Sequence, residues 1–377
     1  MQLSSKTRLL GAAATELEEL ATDLGQPAYR GKQIFEAIYR QRVVSVEAIS
    51  TLPASMRSDL LARGITVGAL SIEGKFTSED GTIRYLIGLE DGETVETVWM
   101  PEGDGGETGD GSEAGEAPAG RTWSRATICV SSQVGCAVNC RFCLTAALGV
   151  KRNLTAGEIV GQVCAALRDR GVTPPEDRVN LVFMGMGEPF LNYEPFMSAV
   201  RLLVDGVGIP ESRMTVSTAG IVTKVHEFGL EAIRPKLAIS LNGSNDLLRE
   251  RLMPLNRKWD LKQLMAAARS FPLRPRERLT FEYVLLRDVN DSDANARELA
   301  ELIRGIRAKV NLIALNPGPG IDFETPEPDR ILKFQQVLVS CGIPTFVRRP
   351  RGRDIFAACG QLKRTVELAT ISGVSPD

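Results

Sequence analysis

The chain has 377 residues, a formal net charge of −2 and 43% hydrophobic residues, and it contains one histidine and seven cysteines. This length allows a large domain with an appended module, whose core needs no disulfide support. The single histidine excludes zinc and non-haem iron sites built from several imidazoles, and no apolar run approaches the roughly 18 residues of a membrane span.

Residues 1–95 have the pattern of a small accessory domain. Apolar residues fall at helical spacing at three positions, Ile34, Phe35 and Ile38. Further on, two β-rich runs at 82–87 and 95–98 flank the pair Asp91-Gly92, which is a strong hairpin-turn signal. We therefore predict a mixed helix and strand module that ends near residue 95.

Residues 102–120 differ in composition from the rest of the chain. They are dominated by Gly, Glu and Asp and hold almost no large apolar side chain, so burial cannot offset the entropy of ordering them. Six acidic residues lie between Glu102 and Glu116 with no basic residue among them, and without these six the net charge would be +4. We predict a flexible acidic insertion.

Residues 121–366 repeat a pattern of apolar runs followed by amphipathic stretches, and 367–377 form a tail. The predicted strands are 179–184, 214–217, 237–241, 279–286, 310–315 and 345–347. Helices are predicted between them, for example at 156–168 and 295–306. Strands that alternate with helices predict a parallel sheet, closed or partly closed as a barrel.

Three of the seven cysteines, Cys136, Cys140 and Cys143, form a C-x3-C-x2-C arrangement in a glycine-containing loop. Three thiolates on so short a loop can bind three irons of a cubane cluster and leave the fourth without a protein ligand. That open iron could bind a small chelating molecule. The alternative is structural zinc, which needs four ligands, and no matching Cys or His pair lies at a suitable spacing. Cysteines so placed favour metal chemistry in a reducing, cytoplasmic setting.

Several polar residues follow predicted strands, at the end of a parallel barrel that carries active sites. Gly187 and Glu188 lie in a glycine-rich segment, MGMGEP, whose alternative interpretation is a plain turn before a helix. Ser217, Ser240 and Asn316 each close an apolar run. Taken singly, these three residues are more often strand caps, and their shared location favours a ligand site.

The cysteine spacing, with an aromatic residue just before the last cysteine, is similar to the signature of the radical S-adenosylmethionine superfamily. In that superfamily the open iron chelates the amino and carboxylate groups of the cofactor. MGMGEP resembles its Gly-Glu-Pro motif, and Ser240-Leu241-Asn242 stands where related proteins commonly have Ser-Leu-His. The resemblance implies cofactor contacts by a set of seven residues: Gly187, Glu188, Ser217, Ser240, Leu241, Asn242 and Asn316.

Four segments in order, CVSSQVGCAVNCRFC, NLVFMGMGEP, NLIALNPGPG and RGRDIFAACGQL, closely resemble the RlmN and Cfr adenosine methyltransferases. The resemblance covers nearly the whole chain outside the insertion. It implies an α/β fold, namely a partial (β/α)6 barrel with a small N-terminal α+β accessory domain that binds RNA. It also implies a [4Fe-4S] cluster, two molecules of S-adenosylmethionine per turnover, and methylation of carbon 2 of an adenosine in 23S rRNA and in tRNA.

The chemistry of carbon 2 explains why a radical enzyme is needed. This carbon lies between two ring nitrogens and is electron-poor, so it cannot attack a sulfonium methyl group as an ordinary nucleophile. The resemblance implies that Cys359 accepts a methyl group, which a cofactor-derived radical activates for addition to the ring. It further implies that Glu96 then removes the carbon 2 proton and that Cys129 releases the product through a transient disulfide with Cys359.

Without the resemblance, the same residues have plainer interpretations. Glu96 would be an exposed carboxylate on a strand, and Cys129 and Cys359 would be small buried residues. The two other cysteines, Cys164 and Cys341, are predicted to lie in the core. His226 is predicted to lie on a helix surface.

The basic residues form three runs, which are Arg348, Arg349, Arg351 and Arg353; Arg274, Arg276 and Arg278; and Arg30, Lys32, Arg40 and Arg42 with Tyr29 and Tyr39. They could neutralise phosphates and stack on bases, although each run alone is also typical of a solvated face. A reacting adenine must leave its stack, so single-stranded or loop RNA is expected. The resemblance also implies a flavodoxin-type electron donor, and we expect a monomer with no membrane association.

Two alternatives to carbon 2 methylation stay open on the sequence. One is Cfr-like methylation of carbon 8 of the same adenosine, which uses the same cysteines. We favour carbon 2 because the N-terminal region and the segment Val-Glu-Thr-Val at 95–98 look more like RlmN. The other is a non-catalytic iron-sulfur or zinc RNA-binding protein, which would be indifferent to the substitution Cys359→Ala.

Overall fold

The structure, a computed structural model, describes residues 8–102 and 124–362. The predicted insertion lies outside the described residues, apart from its first residue, Glu102. The whole of the predicted tail also lies outside them. No helix in the described part of the chain is long and apolar enough to cross a membrane.

Helices and strands alternate through most of the chain. The α-helices are α1 Ala14–Asp23, α2 Tyr29–Tyr39, α3 Ala54–Ala62, α4 Leu144–Ala147, α5 Ala156–Arg170, α6 Tyr193–Leu202, α7 Val222–Gly229, α8 Asp246–Leu252, α9 Leu261–Ser270, α10 Asp293–Leu302 and α11 Pro328–Ser340. The strands are β1 Ser71–Thr77, β2 Ile83–Gly88, β3 Thr94–Glu102, β4 Arg125–Cys129, β5 Gln133–Gly135, β6 Val150–Asn153, β7 Val179–Phe183, β8 Met214–Thr218, β9 Lys236–Ser240, β10 Leu279–Leu285, β11 Ala308–Ala314 and β12 Thr345–Arg348. Short 3₁₀ helices span Pro189–Leu191, Glu211–Arg213 and Pro254–Arg257, and a π-helical turn spans Leu203–Val207.

Ten strands form one sheet in the order β1-β2-β3-β4-β7-β8-β9-β10-β11-β12. The pairs from β1 to β4 are antiparallel, and every pair from β4 onward is parallel. The predicted parallel sheet is therefore confirmed, with β12 added beyond the six strands of a (β/α)6 unit. Because β1 and β12 are its two edges, the sheet is open rather than a closed barrel.

Most predicted strands match the observed bounds within one or two residues, because they are runs of buried apolar side chains. The turn at Asp91-Gly92 is also confirmed, since the Asp91 carboxylate accepts from the amide of Glu93 and Gly92 has φ 81°. The elements that escaped prediction include β1, where no residue is fully buried, and the short β5-β6 hairpin. Helix α10 ends four residues earlier than predicted, at Leu302.

The N-terminal strands continue the main sheet. β3 runs to Glu102, so the predicted boundary at residue 95 falls inside a strand, and β3 pairs directly with β4. One apolar core contains residues from both regions, for example Ile34 of α2 and Val163 of α5. The strands of the region 1–95 therefore do not form a separate sheet. An RNA-binding role for this region stays a prediction.

Candidate active site

The carboxyl ends of β7 to β11 surround a cavity of about 970 Å³, counted out to its open mouth. Nine of the predicted site residues line it: Cys136, Cys140, Cys143, Gly187, Glu188, Ser217, Ser240, Asn242 and Asn316. Cys359, from the C-terminal segment, lines it as well. This location is where parallel α/β sheets bind ligands.

The loop of three cysteines is held by its own backbone contacts. The amide of Cys136 donates to the carbonyl of Gly149, and that of Cys143 donates to Cys140. Asn139, between the first two cysteines, has φ 59°, a conformation that asparagine tolerates better than most residues. Burial raises the pKa of the Cys136 thiol to about 12, so iron binding must displace protons from the loop.

The donor set fits an iron-sulfur cluster better than a single metal ion. Within residues 8–102 and 124–362, no three Cys, His, Asp or Glu side chains are arranged to hold one metal ion. A cubane does not require such convergence, because each of its three protein ligands binds a separate iron. Across the cavity, the buried Oδ1 of Asn316 has no hydrogen-bond partner and offers an acceptor to a polar ligand. Thiolates on one wall and a free acceptor on another fit a cluster with a bound cofactor.

The glycine-rich segment before Glu188 packs tightly against the strand beside it. A Cβ at Gly185 would lie 2.8 Å from the Oγ of Ser131, and one at Gly187, where φ is 102°, would lie 2.7 Å from the amide nitrogen of Gln133. These glycines are therefore required by close approach of the backbone. They fix Glu188, whose carboxylate accepts from the amides of Phe190 at 3.0 Å and Ala219 at 2.7 Å.

Burial raises the pKa of Glu188 to about 7, despite those two hydrogen bonds. A carboxyl whose pKa is higher in the folded chain favours folding most below its unfolded value of about 4.3, and this contribution is lost as the pH rises through about 7. Relative to Glu188→Gln, the wild-type free energy of unfolding should fall by up to about 3 kcal/mol between about pH 5 and about pH 8. Urea unfolding of the cluster-free protein measures this difference. A gap that does not change with pH would contradict the raised pKa.

A carboxylate that sequence reasoning missed, Glu282, also lines the cavity. Its Oε2 accepts from the Oγ of Ser217 at 2.7 Å, and this hydroxyl lies 3.2 Å from that of Ser240. The signal was visible in the sequence, since Glu282 is the only charged residue in the apolar strand β10. Strands β8, β9 and β10 thus each contribute one side chain to a connected polar cluster at the cavity.

Asn242, the third residue of the Ser-Leu-Asn segment, is held by its backbone conformation and by contacts of its side chain. It has φ 55°, its Oδ1 accepts from the amide of Val284 at 2.8 Å, and its Nδ2 lies 3.2 Å from the sulfur of Met253. Its neighbour Leu241 is fully buried and is not among the residues that line the cavity. The side chain of Leu241 therefore supports the wall from behind.

The segment that carries Cys359 is tied to the cysteine loop. The amide of Leu144, next to Cys143, donates to the carbonyl of Gly360 at 2.7 Å. The Nδ2 of Asn316 donates to the carbonyl of Cys359 at 3.3 Å. These bonds place Cys359 at the cavity. Enclosure of the thiol by the surrounding protein raises its pKa.

Cys129 is buried at the end of β4 and does not line the cavity. Burial raises the pKa of its thiol, and the nearby Cys359 and Glu282 raise it further, whereas Arg348 lowers it. Glu282 and Arg348 have the same two effects on the pKa of the Cys359 thiol. The two cysteines thus lie close enough to interact and share the same charged neighbours.

Glu96 is fully buried on β3, so its interpretation as an exposed carboxylate is wrong. Cross-strand pairing forms an ion pair between Glu96 and Arg84 of β2. Glu96 lies on the same face as Val98, which pairs with Cys129, but it is not among the residues that line the cavity. The structure therefore brings Glu96 to the region of Cys129 and not to the cavity wall.

Three further predictions are corrected by the structure. Cys341 is exposed rather than in the core, because it caps the end of α11. Tyr39 is buried and its hydroxyl is bound to the backbone of Gly11 and Ala12, so it is not available to stack on RNA. Arg274 precedes β10, at the end of the sheet opposite the cavity, and its guanidinium donates to backbone carbonyls.

Two other predictions about single residues are confirmed. Cys164 is buried within α5, and His226 is exposed on α7. The run Arg348–Arg353 begins at the last residue of β12 and therefore lies at the cavity end of the sheet, unlike Arg274.

Comparisons with known proteins show similarity to radical SAM methyltransferases. A family model described as the radical SAM superfamily matches residues 130–300. A probable dual-specificity RNA methyltransferase RlmN of Koribacter versatilis is 62% identical over 349 residues, which are 93% of this chain and 99% of that protein. The dual-specificity RNA methyltransferase RlmN of Syntrophobacter fumaroxidans is 44% identical over 92% of this chain and 95% of that protein. The crystal structure of a radical SAM methyltransferase from Sphaerobacter thermophilus superimposes with a TM-score of 0.84 at 44% identity, covering 94% of this chain and 98% of that one.

Proposed function

Because this chain belongs to the RlmN family of dual-specificity RNA methyltransferases, we propose that it methylates carbon 2 of an adenosine in 23S rRNA and in tRNA. The observation that carries the proposal is the joining of two separate sequence motifs at one cavity. The backbone bond from Leu144 to Gly360 holds the segment of Cys359 against the loop of the three clustered cysteines. A methyl-carrying thiol and a radical source need this proximity.

We propose that Cys136, Cys140 and Cys143 hold a [4Fe-4S] cluster whose open iron binds S-adenosylmethionine. When bound, this pair supplies the one-electron chemistry that the electron-poor carbon 2 requires. The polar wall made by Ser217, Ser240 and Glu282 offers donors and acceptors for hydroxyl groups. Asn316, just beyond the carboxyl end of β11, offers its free carbonyl oxygen.

The remaining roles belong to side chains of this chain. Cys359 holds the methyl group and brings it to the adenine, and Cys129 then attacks the sulfur of Cys359 to release the product. Glu96 accepts the carbon 2 proton. Because Glu96 is ion-paired with Arg84 and away from the cavity wall, this role requires the RNA-bound enzyme to bring the carboxylate and the base together.

Several finer features are part of the same proposal. They are two molecules of S-adenosylmethionine per turnover, electron supply by a flavodoxin system, a monomeric enzyme in the cytoplasm, and RNA binding by the accessory domain over 1–95. Arg349 and Arg353, exposed beside the Cys359 segment, are well placed to contact phosphates.

The test is anaerobic reconstitution with iron and sulfide, followed by methylation of protein-free 23S rRNA fragments and of tRNA. Mass spectrometry of the digested RNA is expected to find the new methyl group on carbon 2 of adenosine. A methyl group on carbon 8 would instead support the Cfr-like reaction. A cluster that never cleaves S-adenosylmethionine would refute both and leave a non-catalytic RNA-binding protein.

A further inference from the structure

The segment that leads to Cys359 is held by the turn between β1 and β2. Asp354 accepts from the Oγ of Ser78 at 2.6 Å and from the amide of Glu79 at 3.2 Å. In return, Asp80 of the turn accepts from the amide of Gly352 at 3.0 Å. These three bonds join residues 272 to 276 positions apart in the chain.

The backbone geometry around these bonds is tight. Gly352 has φ 60°, and a Cβ there would lie 2.8 Å from the Cβ of Ala357 and 3.0 Å from the Cγ2 of Thr82. Asp80 also accepts from the amide of Thr82, which shapes the turn that presents it. The hydrogen bond from Ser78 lowers the pKa of Asp354, so the acceptor is ionised at neutral pH.

Cys359 lies between this contact and a second anchor. On the far side, Gly360 and Cys359 are bound through their carbonyls to Leu144 and Asn316. A segment fixed at both ends presents its thiol in a restricted range of positions. A segment fixed only at the far end would sample many more.

We propose that Asp354 is a positioning residue, which holds Cys359 at the cavity by anchoring its segment to the β1-β2 turn. The inference rests on the proposed role of Cys359 and adds a task for the N-terminal strands beyond RNA binding. Asp354 acts through the backbone and touches neither RNA nor cofactor.

The first measurement needs no turnover. The cluster-loaded protein, reconstituted without S-adenosylmethionine, is treated anaerobically with iodoacetamide, and alkylation of each cysteine is followed by peptide mass spectrometry. Asp354→Ala should change the alkylation rate of Cys359 on the order of tenfold, because the thiol leaves its restricted position. Cys341, which is exposed at the end of α11 and does not line the cavity, serves as the internal standard.

Two partner variants distinguish a specific contact from general loosening. Asp354→Asn can still meet both partners, by accepting from Glu79 and donating to Ser78, and should restore the wild-type alkylation rate. Ser78→Ala should change that rate in the same direction as Asp354→Ala, and the double variant should add little beyond either single one. Asp91→Ala is the matched control, because Asp91 shapes the β2-β3 turn and pairs with Arg152 away from the Cys359 segment.

The second measurement is methylation by the same variants. Asp354→Ala should lower kcat about tenfold and leave the KM for RNA unchanged, since it displaces the methyl carrier and not the substrate. An unchanged Cys359 alkylation rate in Asp354→Ala, or Ser78→Ala and Asp354→Ala effects that multiply, would overturn the proposal. If even the wild type fails to methylate RNA, the proposed function fails, while the alkylation results still decide whether the contact positions Cys359.

Discussion

Replacing Cys359 by alanine is expected to abolish RNA methylation, with a loss on the order of 10⁴-fold or more, as when other covalent catalysts lose their nucleophile. No neighbouring side chain can replace it. Cys129 is buried and does not line the cavity, and the three clustered thiols are the proposed iron ligands. Product formation on a 23S rRNA fragment, followed by mass spectrometry, measures the loss.

The variant should keep its cluster, because Cys359 is outside the C-x3-C-x2-C loop. Its visible absorption and its reductive cleavage of S-adenosylmethionine should therefore persist. Cys341→Ala is the matched control, since Cys341 is equally exposed but caps α11 at a distance from the cavity, and full activity is expected of it. Methylation by Cys359→Ala at even a tenth of the wild-type rate would exclude a methyl-carrying role for Cys359.

The strand ends that form the cavity could be predicted from the sequence because their signals are local. Runs such as 237–239 are apolar and buried, as strands covered on both faces must be, and the polar Ser240 follows directly. The ends of parallel strands meet at one edge of a sheet, so Ser217 and Ser240 could be expected near each other before their positions were known. The 3.2 Å between their hydroxyls agrees with that reasoning.

Other features depend on contacts between distant parts of the chain. The burial of Glu96 follows from strand register, which sets Leu86 opposite Glu96 and leaves Arg84 in reach, and no local pattern specifies that register. The bond between Ser78 and Asp354 depends on how the segment after β12 lies relative to the β1-β2 turn, and the whole sheet separates these two in sequence. The prediction that Cys341 is buried is wrong because the helical pattern of the sequence does not show that α11 ends at Ser340.

Replacing Cys129 by alanine is expected to stop turnover after the methyl group has reached the RNA. The proposed release step needs the Cys129 thiol to attack the sulfur of Cys359, because the other thiols near Cys359 are the three proposed iron ligands. The RNA should then stay covalently attached to Cys359. Denaturing gel electrophoresis of labelled RNA should reveal a slowly migrating RNA-protein species that accumulates to about one per enzyme within a single turnover.

A matched control separates this role from simple loss of packing. Cys164 is likewise buried, and burial likewise raises the pKa of its thiol, but it lies in α5 near Arg42 and Arg168, remote from the cavity residues. Cys164→Ala should therefore remove a similar volume from the core and still release methylated RNA. Equal accumulation of the attached species in both variants would mean that core damage, not a missing thiol, traps the RNA. Multiple turnovers by Cys129→Ala would show that the adduct resolves without a disulfide.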